Sequence, residues 1–129
     1  MILDTAFLID LMNGDEDALE KARWMEENRV QQRLSAMTLF ELYYGIARAT
    51  HSKKERESVE SVLSSKPVHP ADGAVMRKAG RLSGDCQNDG TPVDDGDAII
   101  GATAEIVEEP VLTRNVEDFD RLGVAVESY

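Results

Sequence analysis

The chain opens on three apolar residues and then stops on an acid: Met1-Ile2-Leu3-Asp4. A run that short reads as a buried strand. Similar runs recur at Val111–Thr113 after Pro110 and at Val124–Val126, with a weaker one at Gln32–Ala36. The segment Pro67-Val68-His69-Pro70 is held extended by its two prolines. Between these runs the apolar residues fall at helical spacing. The spacing predicts helices over Thr5 to about Met12, over Asp15–Asn28, and along a stripe of Leu39, Leu42, Tyr43, Ile46 and Ala47. It predicts further helices over Ser52–Ser65, from Ala71 to about Gln87, and from Asp97 through Ile106, then a short turn at Phe119–Leu122. Asn13-Gly14-Asp15 stops one helix and starts the next, and Asn88–Pro92 is a loop. Thr38, with Glu41 three residues on, has the spacing of a capping box, and Thr5 reads as the cap of the first helix. Short apolar strands alternating with helices specify an α/β fold: a short parallel β-sheet flanked by helices on both faces. With 129 residues, no repeat and no dividing linker, one domain over residues 1–129 is expected.

Charge narrows the function. Twenty-five acids face 14 Lys and Arg, a net charge of −11, and only 5% of residues are aromatic. This disfavours a simple basic nucleic-acid binder or an aromatic-rich recognition surface. The single Cys86 rules out an internal disulfide and suits a reducing compartment. No run reaches the roughly 20 apolar residues of a membrane span. The opening residues lack the basic start of a signal peptide, so a cytoplasmic location without membrane association is expected. The acid excess goes beyond what solubility needs and suggests adaptation to concentrated salt, where repulsion is screened within a few Å.

The position of the acids matters more than their number. In parallel α/β sheets, ligand sites form beyond the carboxyl ends of strands. Asp4 directly follows the first strand, and Thr113 to Asp118 directly follow a later one. Glu41 and Asp97 lie in the first turns of helices that can open on the same edge. Their neighbours are apolar (Ile2-Leu3, Leu39-Phe40, Ile99-Ile100), and a carboxylate in such surroundings is costly unless paired or metal-bound. Acids converging there from distant segments would repel one another. A divalent cation resolves this, and all-oxygen ligands favour Mg²⁺ or Mn²⁺ over zinc.

Four segments carry a family resemblance in the right order, from residue 1 to 123: MILDTAFLIDL, SAMTLFELYYGI, GTPVDDGDAIIGATA and VLTRNVEDFDRLG. The sequence resembles the PIN-domain proteins, specifically the VapC-type toxin ribonucleases. The resemblance implies a PIN-like fold and an endoribonuclease that acts as the toxin of a toxin–antitoxin pair. It implies hydrolysis of RNA phosphodiester bonds by metal-activated water. Asp4, Glu41, Asp97 and Asp118 would be the catalytic, metal-binding residues, holding one or two Mg²⁺ or Mn²⁺ ions. Many relatives place an acid where this chain has Asn115. The fourth position therefore falls to Asp118, or to Asn115 through its carbonyl or a water. Thr113 would orient a phosphate or a ligand acid. Arg114 would reach a phosphate or make a surface ion pair. Asp94 would assist at a metal or remain a solvated loop charge. The implied partners are an RNA substrate, a cognate antitoxin protein and a second copy of the chain. Arg48, Lys53 and Lys54 form the main basic cluster, either touching RNA or simply solvated. The exposed part of Leu39, Phe40, Tyr43 and Tyr44 would suit a partner. The rival reading is a PIN-like interaction module without catalysis, working in a protein or RNA complex.

Overall fold

The computed structural model describes all 129 residues. Its elements follow in the order β1 (Ile2–Leu3), α1 (Thr5–Met12), α2 (Glu16–Glu27), β2 (Leu34–Ser35), α3 (Ala36–Arg48) and α4 (Ser52–Leu63). Then come β3 (Val68–His69), α5 (Gly73–Asn88), α6 (Asp95–Val107), β4 (Val111–Leu112), α7 (Val116–Arg121) and β5 (Val126–Glu127). β1, β4 and β5 form one parallel sheet in the order β1-β4-β5, and β2 pairs in parallel with β3. A parallel bridge between Ile2 and Arg33 joins the two pieces, so the five strands run as β3-β2-β1-β4-β5. Leu3 N–H donates to Arg33 O and Arg33 N–H to Met1 O, which satisfies the backbone across that join.

Two-residue strands can hold a sheet only if both faces are covered, and here they are. Side chains alternate across a strand. Ile2 and Val111 point to one face, where they pack with Val75, Ala79, Cys86, Ile100, Phe119 and Leu122 of α5, α6 and the α7 region. Leu3 and Leu112 point to the other face, with Phe7, Leu8, Met25, Leu42, Ile46 and Val59 from α1 to α4. Phe7 and Phe119, one on each side, are the largest fully buried side chains. Burying such a ring stabilises the fold by about 1.5–3 kcal/mol. α6 lies close to the α7 corner because Gly101 has no side chain: a Cβ there would sit 3.1 Å from Leu122 Cδ1. The α/β arrangement with helices on both faces matches the sequence expectation.

Three helix starts differ from that expectation. α3 begins at Ala36, capped by Ser35, whose hydroxyl accepts from Met37 N–H at 3.2 Å. Thr38 lies fully buried within the first turn, so no capping box forms and Glu41 is free of that duty. α6 begins two residues before Asp97 because Asp94 is its N-cap, accepting from Gly96 N–H at 3.1 Å. α7 begins at Val116, three residues before the turn expected at Phe119–Leu122, which places Asp118 in a helical first turn.

Candidate active site

Every strand of a parallel sheet ends its carboxyl side on the same edge, and the acids gather there. Asp4 is the first residue after β1, in extended conformation at the N-cap position of α1. Its side chain makes no capping bond and is only 5% exposed. It accepts a 2.6 Å hydrogen bond from Thr113 Oγ1 at the end of β4. Burial raises the carboxyl above its ordinary range, and the Thr113 hydroxyl partly opposes that.

Glu41 comes from the second turn of α3. Thr5 Oγ1 donates to its Oε1 at 2.7 Å and shares a 3.1 Å hydrogen bond with the buried Thr38 hydroxyl. Thr5 therefore orients Glu41 instead of capping α1 (where no side-chain cap bond forms). Burial lifts the Glu41 carboxyl; the Thr5 bond opposes this, and the charges of Asp4 and Asp94 add to the rise. The close approach of Asp94 and Glu41 needs a glycine between them. A Cβ on Gly96 would lie 3.0 Å from Asp94 Oδ2 and 3.1 Å from Glu41 Oε2.

Asp97, in the first turn of α6, is the most perturbed carboxylate. It is pushed up to about 7 by burial first, then by the charges of Asp4, Asp94, Asp118 and Glu41. That set of neighbours brings all four expected acids and Asp94 within electrostatic reach of one another. Asn115 stands between two of them, its Nδ2 donating to Asp97 Oδ2 at 3.3 Å and Asp118 Oδ2 at 2.9 Å. Asn115 N–H in turn donates to Thr113 Oγ1 at 2.8 Å, which fixes the turn. The only ion pair reaching these five acids is Arg121 to Asp118, at 3.1 Å.

Arg114, the residue between Thr113 and Asn115, points elsewhere. Its guanidinium pairs with Asp15 at 2.9 Å, Asp17 at 3.2 Å and Asp10 at 3.3 Å, and lies 4.6 Å from the centre of the Tyr129 ring. Neither histidine hydrogen-bonds to an acid of the cluster: His51 precedes α4 and His69 lies in β3. Thr5 and Gly96 belong to the site although the sequence reading gave neither a part in it. For Thr5 the available signal was its place one residue beyond the strand-end acid.

The donor chemistry suits a hard divalent cation: five carboxylates, no thiol and no imidazole. In the structure no group of three or more His, Cys, Asp or Glu side chains is arranged to hold a metal ion. The fit rests on the chemistry of the donor set and on its uncompensated charge.

Comparisons with known proteins agree with this architecture. Residues 1–125 match the PIN domain family. The tRNA(fMet)-specific endonuclease VapC of Salmonella typhimurium is 28% identical over 97 residues, 74% of each chain. Ribonuclease VapC19 of Mycobacterium tuberculosis is 26% identical over 118 residues, covering 92% of this chain and 90% of that one. A chain in the crystal structure of DNA-bound VapBC from Salmonella typhimurium superposes with a TM-score of 0.86 at 26% identity, over 98% of this chain and 96% of that one. The chain is similar to these VapC proteins, and the match running from residue 1 to 125 makes it a member of the PIN domain family.

Proposed function

We propose that the chain is an endoribonuclease, dependent on Mg²⁺ or Mn²⁺, that acts as the toxin of a toxin–antitoxin pair. The observation that carries the proposal is the convergence of Asp4, Glu41 and Asp118 from distant segments on Asp97 and Asp94, where burial first and then the four neighbouring acids push the Asp97 carboxyl up to about 7. A fold does not keep such a cluster for stability, since each charge raises the cost of the next. Asp4, Glu41, Asp97 and Asp118 would hold one or two cations, with Asp94 and Asn115 alongside. When bound, the metal would supply an activated water and stabilise charge on the leaving oxygen.

The chain's own residues do the positioning. Thr113 fixes one oxygen of Asp4, Thr5 fixes one oxygen of Glu41, and Asn115 spaces Asp97 from Asp118. These bonds leave a second carboxylate oxygen for other work on Asp4, Glu41 and Asp97, whereas Arg121 occupies the other oxygen of Asp118. Asp4 is almost excluded from water, so its charge is felt undiluted at the site.

An antitoxin partner is supported by the VapBC likeness and by a surface groove of about 300 Å³ beside Glu41. Apolar Ile9 and Met12 line it together with polar Asn13, Glu41, Glu55 and Ser58, which suits a protein segment carrying both apolar and polar side chains. Homodimerisation and an RNA substrate belong to the same proposal. No helix is long and apolar enough to cross a membrane. A cytoplasmic setting is part of the same proposal.

Cleavage of total RNA by purified protein, with and without Mg²⁺, tests the reading. Wild-type protein cleaves, while Asp4→Asn and Asp97→Asn variants with unchanged circular dichroism do not. Full activity in either variant would refute the site. No cleavage by the wild type with either metal, together with stoichiometric binding of a partner, would favour the non-catalytic interaction module.

A further inference from the structure

The solvent face of α3 carries a feature that catalysis does not use. Phe40 and Tyr44 are 64% and 58% exposed, the highest values among the chain's large hydrophobic side chains. Their rings are nearly parallel, 19° apart, with centroids 6.3 Å from each other. The Arg48 guanidinium continues the row, 5.8 Å from the Tyr44 ring centre. Positions 40, 44 and 48 form one helical stripe, with steps of roughly 6 Å along the axis.

The stripe has a definite start and end. It starts beside Glu41, an acid of the proposed site. It ends at the α3–α4 corner, where Lys53, Lys54 and Arg56 follow. Residues 48–56 hold four of the chain's 14 Lys and Arg but only one of its 25 acids. None of those four cations is ion-paired. The aliphatic residues Leu42 and Ile46 of the same helix are buried, so aromatic faces and cations make up the stripe. In a chain of net charge −11, these four cations offer a polyanion free positive charge at the end of an aromatic stripe, which the likewise unpaired Arg77 and Arg81 of α5 do not.

We propose that Phe40, Tyr44 and Arg48 form a stacking platform for unpaired bases of the RNA substrate, with Lys53 and Lys54 receiving its phosphates. The platform leads a single strand past Glu41 into the acid cluster. Stacking on aromatic faces holds any base, while nearby cations track the backbone. This rests on the ribonuclease reading above and adds substrate-positioning residues to it. It also resolves a conflict in that reading: the acids repel RNA, so the strand needs a hold outside them.

The test uses the full chain with Phe40→Leu and Tyr44→Leu combined, which keeps apolar volume and removes the ring faces. A second variant is Arg48→Gln. Trp24→Leu, an exposed aromatic on α2, is the control. Affinity for an unstructured oligouridine is read by fluorescence anisotropy in EDTA, and cleavage kinetics are read in Mg²⁺. The ring variant should bind about 10- to 100-fold more weakly, as expected for losing two stacking contacts. Its KM should rise with kcat unchanged, while Trp24→Leu matches the wild type. Arg48→Gln should lose less affinity and show a shallower salt dependence.

Wild-type affinity in the ring variant overturns the platform. So does a ring variant that keeps its RNA affinity but no longer self-associates in sedimentation, because the face then belongs to a second copy. In both cases a wild type that cleaves RNA leaves the ribonuclease reading standing. A wild type that neither binds nor cleaves removes both.

Discussion

Two aspartate-rich clusters lie on either side of the turn after β4, and they are balanced in opposite ways. Asp10, Asp15 and Asp17 surround the guanidinium of Arg114, which also rests on Tyr129. Tyr129 in turn donates to Asp10 at 2.6 Å. The second cluster, Asp4, Glu41, Asp94, Asp97 and Asp118, has Arg121 only at its margin. The electrostatic result differs in sign. The Asp15 carboxyl is held below its ordinary value by the Ala18 N–H and by Arg114. Asp97 is lifted to about 7 by burial and by its acidic neighbours. One cluster carries its own cation; the other has an arginine only at its margin and, on the function proposed above, would take its cation from outside. The turn assigns consecutive residues to different clusters: Thr113 bonds Asp4, Arg114 pairs with Asp10, Asp15 and Asp17, and Asn115 bonds Asp97 and Asp118.

Neighbouring substitutions should therefore break different things. Thr113→Val keeps the shape of a fully buried side chain and removes the donor to Asp4. RNA cleavage should fall by about 10- to 100-fold, as for loss of a partner that orients a metal ligand. A single-turnover assay at saturating Mg²⁺ checks this, and undiminished cleavage would show that Asp4 needs no such support. Arg114→Ala, one residue on, should leave cleavage nearly intact. It should lower the melting midpoint only slightly, because solvent screens its exposed ion pairs. A large loss of cleavage with normal stability would instead place Arg114 on the substrate.

Titration sharpens the contrast. A raised carboxyl such as Asp97 favours the fold fully below its unfolded value of 3.8, and that contribution is lost as pH rises toward about 7. A lowered one such as Asp15 contributes above 3.8, and its share is lost as pH falls below that value. Metal-free protein should thus lose stability between about pH 4 and pH 7, and Asp97→Asn should flatten that slope. Thermal melts across the range in EDTA read it directly. Mg²⁺ should raise the midpoint near neutral pH in the wild type and not in Asp97→Asn. An equal rise in both would mean that the ion binds elsewhere.

The smallest effect concerns the remaining surface charge. If the acid excess reflects salt adaptation, the melting midpoint should climb gradually as KCl goes from about 0.1 M to about 2 M. The Arg114 cluster should contribute less as salt screens it. A midpoint that stays flat would leave the −11 without that explanation.

Much of the fold was legible because each piece announces itself locally. The run Met1–Leu3 could only be a strand, and α5 shows its buried face in Val75, Ala79 and Cys86. The acids were legible for a related reason: Asp4 and Asp97 interrupt apolar surroundings where a charge has no structural use. Helix starts were less legible, since Ser, Thr and Asp compete for the cap. Thr38 reads as the cap in the sequence, yet Ser35 takes that place by accepting from Met37 N–H, while the Thr38 hydroxyl meets Thr5. The reach of Arg114 was undecidable from sequence, because a long cation beside a phosphate site and one beside three aspartates read alike.

By itself, then, the sequence determined the alternation of strand and helix, the inward faces and the placing of acids just beyond strand ends. These follow from burial and chain geometry, which act on nearest neighbours. The tertiary structure alone decided which acids meet, which hydroxyl holds which carboxylate, and which cluster receives the one arginine between them. Those outcomes depend on contacts between residues about a hundred positions apart, such as Thr113 to Asp4 and Arg114 to Asp15. Electrostatic energy follows distance in space, and no local pattern in the chain encodes that distance.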